Sequence, residues 1–307
     1  MPTCTQQQWD LLAPVWHNFE QAGTNADHLC RFAAELQSPA VVLGSGLGPL
    51  TKAIQECGIM SVIGADWSPE MARFARIRRG VSTVVASAEL LPFADGSLQS
   101  VVCATGVINP QDSTGTAALI NEVCRVATPG SSVVMTFFVP SIEMLCVYSA
   151  LGLMTHGRQH SGRIVELWRV STDRTALAEL ISGWTGNSAA ASLASFEAHE
   201  KWLAGWFTAL DAAKDELQQS GNPDPAGTLA VGFAWDVCGW TGTELPASLQ
   251  DSRFEITDDW TDERACTRYV VARVRPYHNN APANVSQTGT GQESQKSRTS
   301  RPESPTK

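Results

Sequence analysis

No two of the eight cysteines stand in a C-x-x-C pair. Structural zinc sites and redox dithiols rely on that spacing, so its absence weighs against both, and nothing supports a disulfide framework. Several cysteines, Cys103 and Cys124 among them, sit in apolar runs where a reduced thiol packs as a small hydrophobe. Reduced thiols fit a cytoplasmic protein. Positive charge is also scarce. Lys and Arg number 22 against 31 Asp and Glu, for a formal net charge of -9. Such a surface repels phosphate backbones, so nucleic acid is not the expected partner. The one dense basic cluster, Arg73, Arg76, Arg78 and Arg79, reads as a solvated helix face. No apolar run reaches membrane length uninterrupted. The most apolar stretch, 131–155, carries Pro140 and Glu143 near its middle. A charge there would cost about 3 kcal/mol in a bilayer. No membrane span is expected, and residues 1–9 hold no secretory core. Internal repeats are absent too.

What is present is an alternation. Helical stripes over 6–37 lead into Ala40-Val41-Val42-Leu43, a short apolar strand. A glycine turn, Gly44-Ser45-Gly46-Leu47-Gly48, and a helix over 50–57 follow. A second strand, 61–65, ends in Asp66. The next helix spans 69–79, with Ser68 as N-cap and Pro69 in its first turn. Strands over 82–86, 98–104 and 132–138, a helix over 117–126 and a turn at Thr128-Pro129-Gly130 continue the pattern. Strands that alternate with helices and are apolar throughout predict a parallel sheet covered on both faces. A closing pair, 253–257 and 267–275, brings the count to seven. The expected class is α/β: a Rossmann-like, mostly parallel seven-stranded sheet with a helical insertion between strands five and six. The expected domain is 1–276, with cap helices in 1–37 and the insertion at 141–250. Residues 277–307 are polar and low in complexity, and are expected to be disordered.

Ligands of such sheets bind at the carboxyl ends of the strands, where strand order reverses. Glycines there let the backbone approach a ligand closely. Asp66, about twenty residues beyond the turn, can accept both hydroxyl hydrogens of a ribose. A dinucleotide turn reads G-x-G-x-x-G, but Pro49 occupies the third-glycine position. A nicotinamide-dependent oxidoreductase is therefore the weaker reading. S-adenosylmethionine has no phosphate and needs no pyrophosphate turn.

Four segments, in order, resemble the class I S-adenosylmethionine-dependent methyltransferases, the group that includes quinone-biosynthesis and small-molecule enzymes. They are Val41–Gly48, Val62–Met71, the segment Ala-Glu-Leu-Leu-Pro-Phe-Ala-Asp-Gly-Ser-Leu over 88–98, and Asn-Glu-Val-Cys-Arg-Val-Ala-Thr-Pro-Gly over 121–130. The resemblance implies S-adenosylmethionine as cofactor. Gly44, Ser45, Gly46 and Gly48 would belong to its binding turn, with the glycines at the methionine end. Asp66 would bind the ribose and Trp67 would pack near the adenine. Ala88 and Glu89 would lie at the adenine edge, and Thr105, Gly106 and Val107 beneath the cofactor. Trp9 and Trp16 fall where an N-terminal helix closes over the cofactor in this group. Two positions depart from the pattern. Val42 stands where an acid is usual, and Ser87 where an aspartate commonly meets the adenine amino group. These departures leave open a nucleoside-binding protein that transfers nothing.

Methyl transfer asks a protein to align the acceptor, exclude water and, for some acceptors, remove a proton. His156 and His160 are the candidate bases. Their H-x-x-x-H spacing also suits a metal on a helix, but Gly157 and Gly162 weaken such a helix, and no metal is expected. Met144, Leu145, Tyr148, Leu151, Met154, Trp202 and Trp206 in the insertion point to a small hydrophobic or aromatic acceptor.

Overall fold

The computed structural model describes residues 5–22, 31–108, 113–138, 173–185, 188–191, 194, 200–225, 227–229, 253–262 and 267–276. All belong to one unit, Met1–Pro276. The second unit, Tyr277–Lys307, lies outside the described residues, and with it the expected polar tail.

Seven strands form one sheet: β1 (Ala40–Leu43), β2 (Val62–Asp66), β3 (Thr83–Val85), β4 (Leu98–Cys103), β5 (Ala127–Phe138), β6 (Phe254–Asp262) and β7 (Thr267–Val274). Their order is β3-β2-β1-β4-β5-β7-β6. β3 through β5 run parallel, and β7 pairs antiparallel with both β5 and β6. The order reverses between β1 and β4. The helices are α1 (Gln6–Leu12), α2 (Pro49–Glu56), α3 (Pro69–Arg79), α4 (Ser113–Val126), α5 (Arg174–Thr185) and α6 (Glu200–Gln219), with a 3-10 turn at Trp16–Ala22. The expected α/β class and strand count are borne out. Of the expected insertion at 141–250, α5 and α6 are described, while 139–172 and 230–252 are not.

β1 shows why an unbroken apolar run makes a central strand. All four of its residues are buried. Successive side chains leave a strand on opposite faces. Val41 and Leu43 join Val101, Cys103, Leu119 and Val123 in one cluster. Ala40 and Val42 join Phe32, Ile54, Val102 and Val134 in the other.

α3 keeps its expected bounds because its ends are coded locally. The Ser68 hydroxyl accepts from the Met71 amide at 3.1 Å, Pro69 stands in the first turn, and Gly80 closes the helix at φ +66°. Other boundaries moved for physical reasons. Of the expected cap helices in 1–37, the first stops at Leu12: Ala13 keeps a helical backbone, but Pro14 brings no N–H to continue the hydrogen-bond ladder. β5 begins at Ala127 and takes in the expected Thr128-Pro129-Gly130 turn, through an irregularity opposite Leu98 and Ser100. β6 runs past Thr257 to Asp262. An edge strand tolerates acids, and here Arg31 pairs with Asp258 at 2.6 Å while Arg268 pairs with Asp259.

The segment over 88–98 is clamped by α4. Glu122 accepts the Leu91 amide at 2.5 Å and meets Arg125 at 2.6 Å. Arg125 also donates to the Leu91 and Phe93 carbonyls and to Asp95. This contact joins the two motif segments, one supplying the carbonyls and the other the clamp. The Arg125 guanidinium holds the Glu122 carboxyl below its ordinary range. A lowered carboxyl contributes stability that is complete at neutral pH and is lost as acid protonates it. Glu122→Ala leaves the buried Leu91 amide without its partner, and should lower the unfolding free energy by about 2 kcal/mol in urea denaturation. The loss should shrink in acid, where the wild type gives up the same contribution.

Candidate cofactor site

The glycine turn follows β1 at the reversal of strand order. The Ser45 amide donates to the Ala65 carbonyl at 3.1 Å, and the Gly48 amide to the Ser45 carbonyl at 2.9 Å. The turn is thus anchored to the tip of β2 and bent on itself. Gly44 has φ +63°, and a Cβ on it would stand 2.2 Å from Val107 Cγ2. Gly46, at φ +54°, has nothing within 4 Å of an added Cβ.

Asp66 fastens this turn. One carboxylate oxygen accepts the Gly46 amide at 2.8 Å, and the other accepts the Ser68 amide at 2.9 Å. The side chain is buried, and burial raises its pKa. The Ser68 and Gly46 amides oppose that rise, and the charge of Asp10 adds to it. Asp10 itself reaches in from α1. It accepts the Ser68 hydroxyl at 2.5 Å and the Glu70 amide at 3.2 Å.

These elements wall a cavity of about 230 Å³ lined by Trp9, Trp16, Leu43, Gly44, Gly46, Ala65, Asp66, Trp67, Met71, Ala86, Ser87, Ala88, Glu89, Thr105, Gly106, Val107, Gly115, Thr116 and Leu119. Among the described residues that line it, Asp66 and Glu89 are the only charged ones, and none is Lys, Arg or His. At the tip of β4 the Thr105 and Thr136 hydroxyls share a hydrogen bond of 2.9 Å. The nearby Cys103 thiol is buried and its pKa is pushed up to about 12, so it supplies no thiolate at neutral pH.

The expected residues Gly44, Gly46, Asp66, Trp67, Ala88, Glu89, Thr105 and Gly106 all come to this one cavity, and so do Val107, Trp9 and Trp16. Ser45 and Gly48 do not line it. Ser45 is buried with its hydroxyl 2.6 Å from where a Gly64 Cβ would stand, and a Gly48 Cβ would meet Val81 Cγ2 at 2.5 Å. Their part is to pack the turn against its neighbours. Ser87 lines the cavity, and its hydroxyl accepts the Glu89 amide at 3.3 Å. Val42 is fully buried in the apolar cluster with Ile54 and Val102. His156 and His160 lie outside the described residues, as do Met144, Leu145, Tyr148, Leu151, Met154 and the side chains of Trp202 and Trp206. Among the described residues no three His, Cys, Asp or Glu gather as a metal site, and no helix is long and apolar enough to cross a membrane.

Residues 40–130 match the family model of a methyltransferase domain. Over 112 residues the chain is 31% identical to the ubiquinone/menaquinone biosynthesis C-methyltransferase of Geotalea uraniireducens, a match covering 34% of this chain and 46% of that protein. The chain thus spans about half the length of that relative. Among solved structures it is similar to the Haloferax volcanii complex between the Trm112 methyltransferase activator and a methyltransferase (22% identity, 45% of this chain and 61% of the other, TM-score 0.37). It is also similar to an S-adenosylmethionine-dependent methyltransferase from Archaeoglobus fulgidus (20% identity, 40% and 55%, TM-score 0.35).

Proposed function

We propose, from the match of residues 40–130 to a methyltransferase domain, that the chain is a class I, S-adenosylmethionine-dependent enzyme that transfers a methyl group from that cofactor to a small molecule. One observation carries the reading. The cavity at the strand reversal joins a glycine turn to a ribose-ready carboxylate, and the two charged residues among its described lining are both acids. A sulfonium nucleoside is a cation without phosphate and is favoured there. The pyrophosphate of a nicotinamide dinucleotide would meet these two carboxylates, with no cation among the described lining residues.

The bound cofactor supplies an electrophilic methyl on a sulfonium whose departure as a neutral thioether needs no acid. The chain supplies binding and alignment. Asp66 accepts the ribose hydroxyls while its oxygens still hold the Gly46 and Ser68 amides. Trp67, Ala86, Ser87 and Ala88 border the adenine. Gly44 and Gly46 keep the cofactor's methionine end free of side chains, with Thr105 and Gly106 beside it. Trp9 and Trp16 exclude water from the opposite wall.

The acceptor is a small hydrophobic or aromatic molecule. Met71, Val107, Leu119 and the tryptophans give the cavity apolar walls, and the Geotalea relative is named for quinone biosynthesis. Where a proton must leave the acceptor, His156 or His160 is the proposed base. Incubation with methyl-tritiated S-adenosylmethionine and acceptor pools sorted by polarity tests this. Label should move into the lipophilic pool, and transfer confined to the polar pool would reject the acceptor class. A second reading is favoured by Val42 and Ser87, neither of which offers the usual carboxylate. In it the same cavity holds the nucleoside without transferring its methyl, and no pool gains label.

A further inference from the structure

The cavity's tryptophan wall comes from a segment that precedes the whole sheet. α1 carries Trp9, and the 3-10 turn carries Trp16. Their rings meet edge to face at 4.9 Å and 83°, and Trp16 leans on Phe19 at 5.3 Å. Ala13 packs with Leu47 and Met71 between them. Apolar packing of this kind has little direction, so it does not by itself fix how deeply the rings enter the cavity. Directional contacts act along the segment: in its middle the Pro14 carbonyl accepts from Arg78, near the C-terminal end of α3, at 3.1 Å, and others lie toward its two ends. At the far end, Asn18 donates to Glu216 of α6 at 3.2 Å. At the near end, one residue beyond Trp9, Asp10 turns away from the cavity onto α3.

Asp10 meets a prepared site. The first amides of a helix lack intrahelical partners and attract negative charge. Ser68 serves the Met71 amide, and Asp10 serves the Glu70 amide at 3.2 Å while taking the Ser68 hydroxyl at 2.5 Å. Ser68 is fully buried, and its own amide is held by Asp66. A single residue, Ser68, thus links the carboxylate that grips the nucleoside to the carboxylate that docks the tryptophan segment. We infer that Asp10 is a positioning residue, latching the N-terminal segment to the start of α3 and thereby setting the Trp9 and Trp16 walls of the cofactor cavity. The inference rests on the function proposed above, because the latch matters only if a nucleoside occupies that cavity.

The test uses the full chain, S-adenosylhomocysteine as probe, and two variants. Alanine is the best helix former, so Asp10→Ala leaves α1 itself intact while it removes the latch together with the Asp10 charge beside Asp66, a charge that Asp10→Asn removes equally. Its affinity should fall about tenfold, chiefly through faster dissociation in stopped-flow tryptophan fluorescence. Asp10→Asn keeps an oxygen that can accept from both Ser68 and Glu70, and should recover most of the loss. Wild-type affinity and dissociation rate in Asp10→Ala would overturn the latch, as would an asparagine variant no tighter than the alanine one. A wild-type chain that fails to bind the probe counts against the proposed function itself, and the latch falls with it.

Discussion

Gly44→Ala is expected to abolish binding of S-adenosylhomocysteine in a chain that still builds its sheet. Two independent penalties meet at this position. The backbone is left-handed, at φ +63°, which costs a residue with a Cβ about 1–2 kcal/mol. The new methyl would also stand 2.2 Å from Val107 Cγ2 and 3.7 Å from Val107 Cβ. Valine branches at Cβ and has few rotamers with which to give way. Relief by moving Val107 would disturb a side chain that lines the cavity, and relief by moving the turn would pull the Gly46 amide from Asp66. Either way the site loses its shape. The double variant Gly44→Ala/Val107→Ala should recover part of the affinity, because it removes the collision and leaves the left-handed strain. A cycle of the four proteins measures that coupling. Equal affinity of Gly44→Ala and the wild type would contradict this description of the turn.

Asp66→Asn should weaken the same ligand by about a hundredfold, the loss expected when charge-assisted hydrogen bonds to a ribose are replaced by neutral ones. The effect on stability should be much smaller, because two contributions oppose each other. The amide has one oxygen where the carboxylate offers two, so either the Gly46 or the Ser68 N–H loses its acceptor. Against that, the wild type buries a charge, and burial raises the Asp66 pKa. For an acid whose folded pKa is raised, stability falls as pH climbs through the ordinary aspartate range to the folded value. The asparagine lacks that loss at neutral pH. Affinity carries the opposite sign, because ribose hydroxyls donate to the ionised form. Wild-type binding should therefore weaken on acidification at a higher pH than an ordinary aspartate would dictate, and Asp66→Asn should show no such inflection. Titrations across the acid range distinguish the two. A flat wild-type profile would separate Asp66 from the ligand.

The parts of this site that sequence reveals are those coded by neighbours. Gly44 and Gly46 follow a buried strand directly, and Asp66 ends the next one, so strand, turn and acid can be read in a single pass. Ser68 and Pro69 announce α3 in the same way. What stays hidden depends on distance along the chain. Asp10 meets Ser68 across 58 positions, and Glu122 meets Leu91 across 31. Neither Asp10, one residue after a tryptophan, nor Glu122, within an apolar helix, carries a local mark of its contact. Ser45 and Gly48 illustrate the converse. They share the glycine pattern, yet the turn directs Ser45 toward Gly64 and Gly48 against Val81. A pattern of residue types gives no indication of which members face the ligand. Among the edges, β6 continues beyond the expected 253–257 through Asp258 and Asp259, and Arg31 and Arg268 from elsewhere in the chain show how the sheet accommodates those acids.

Calorimetric titration of the purified chain, with S-adenosylhomocysteine in one series and NADH in another, tests the central claim most directly. A cavity lined by the carboxylates of Asp66 and Glu89 should take up the first with one-to-one saturation and show no heat of binding for the second. Saturable NADH binding, or no binding of either nucleoside by folded protein, would contradict it.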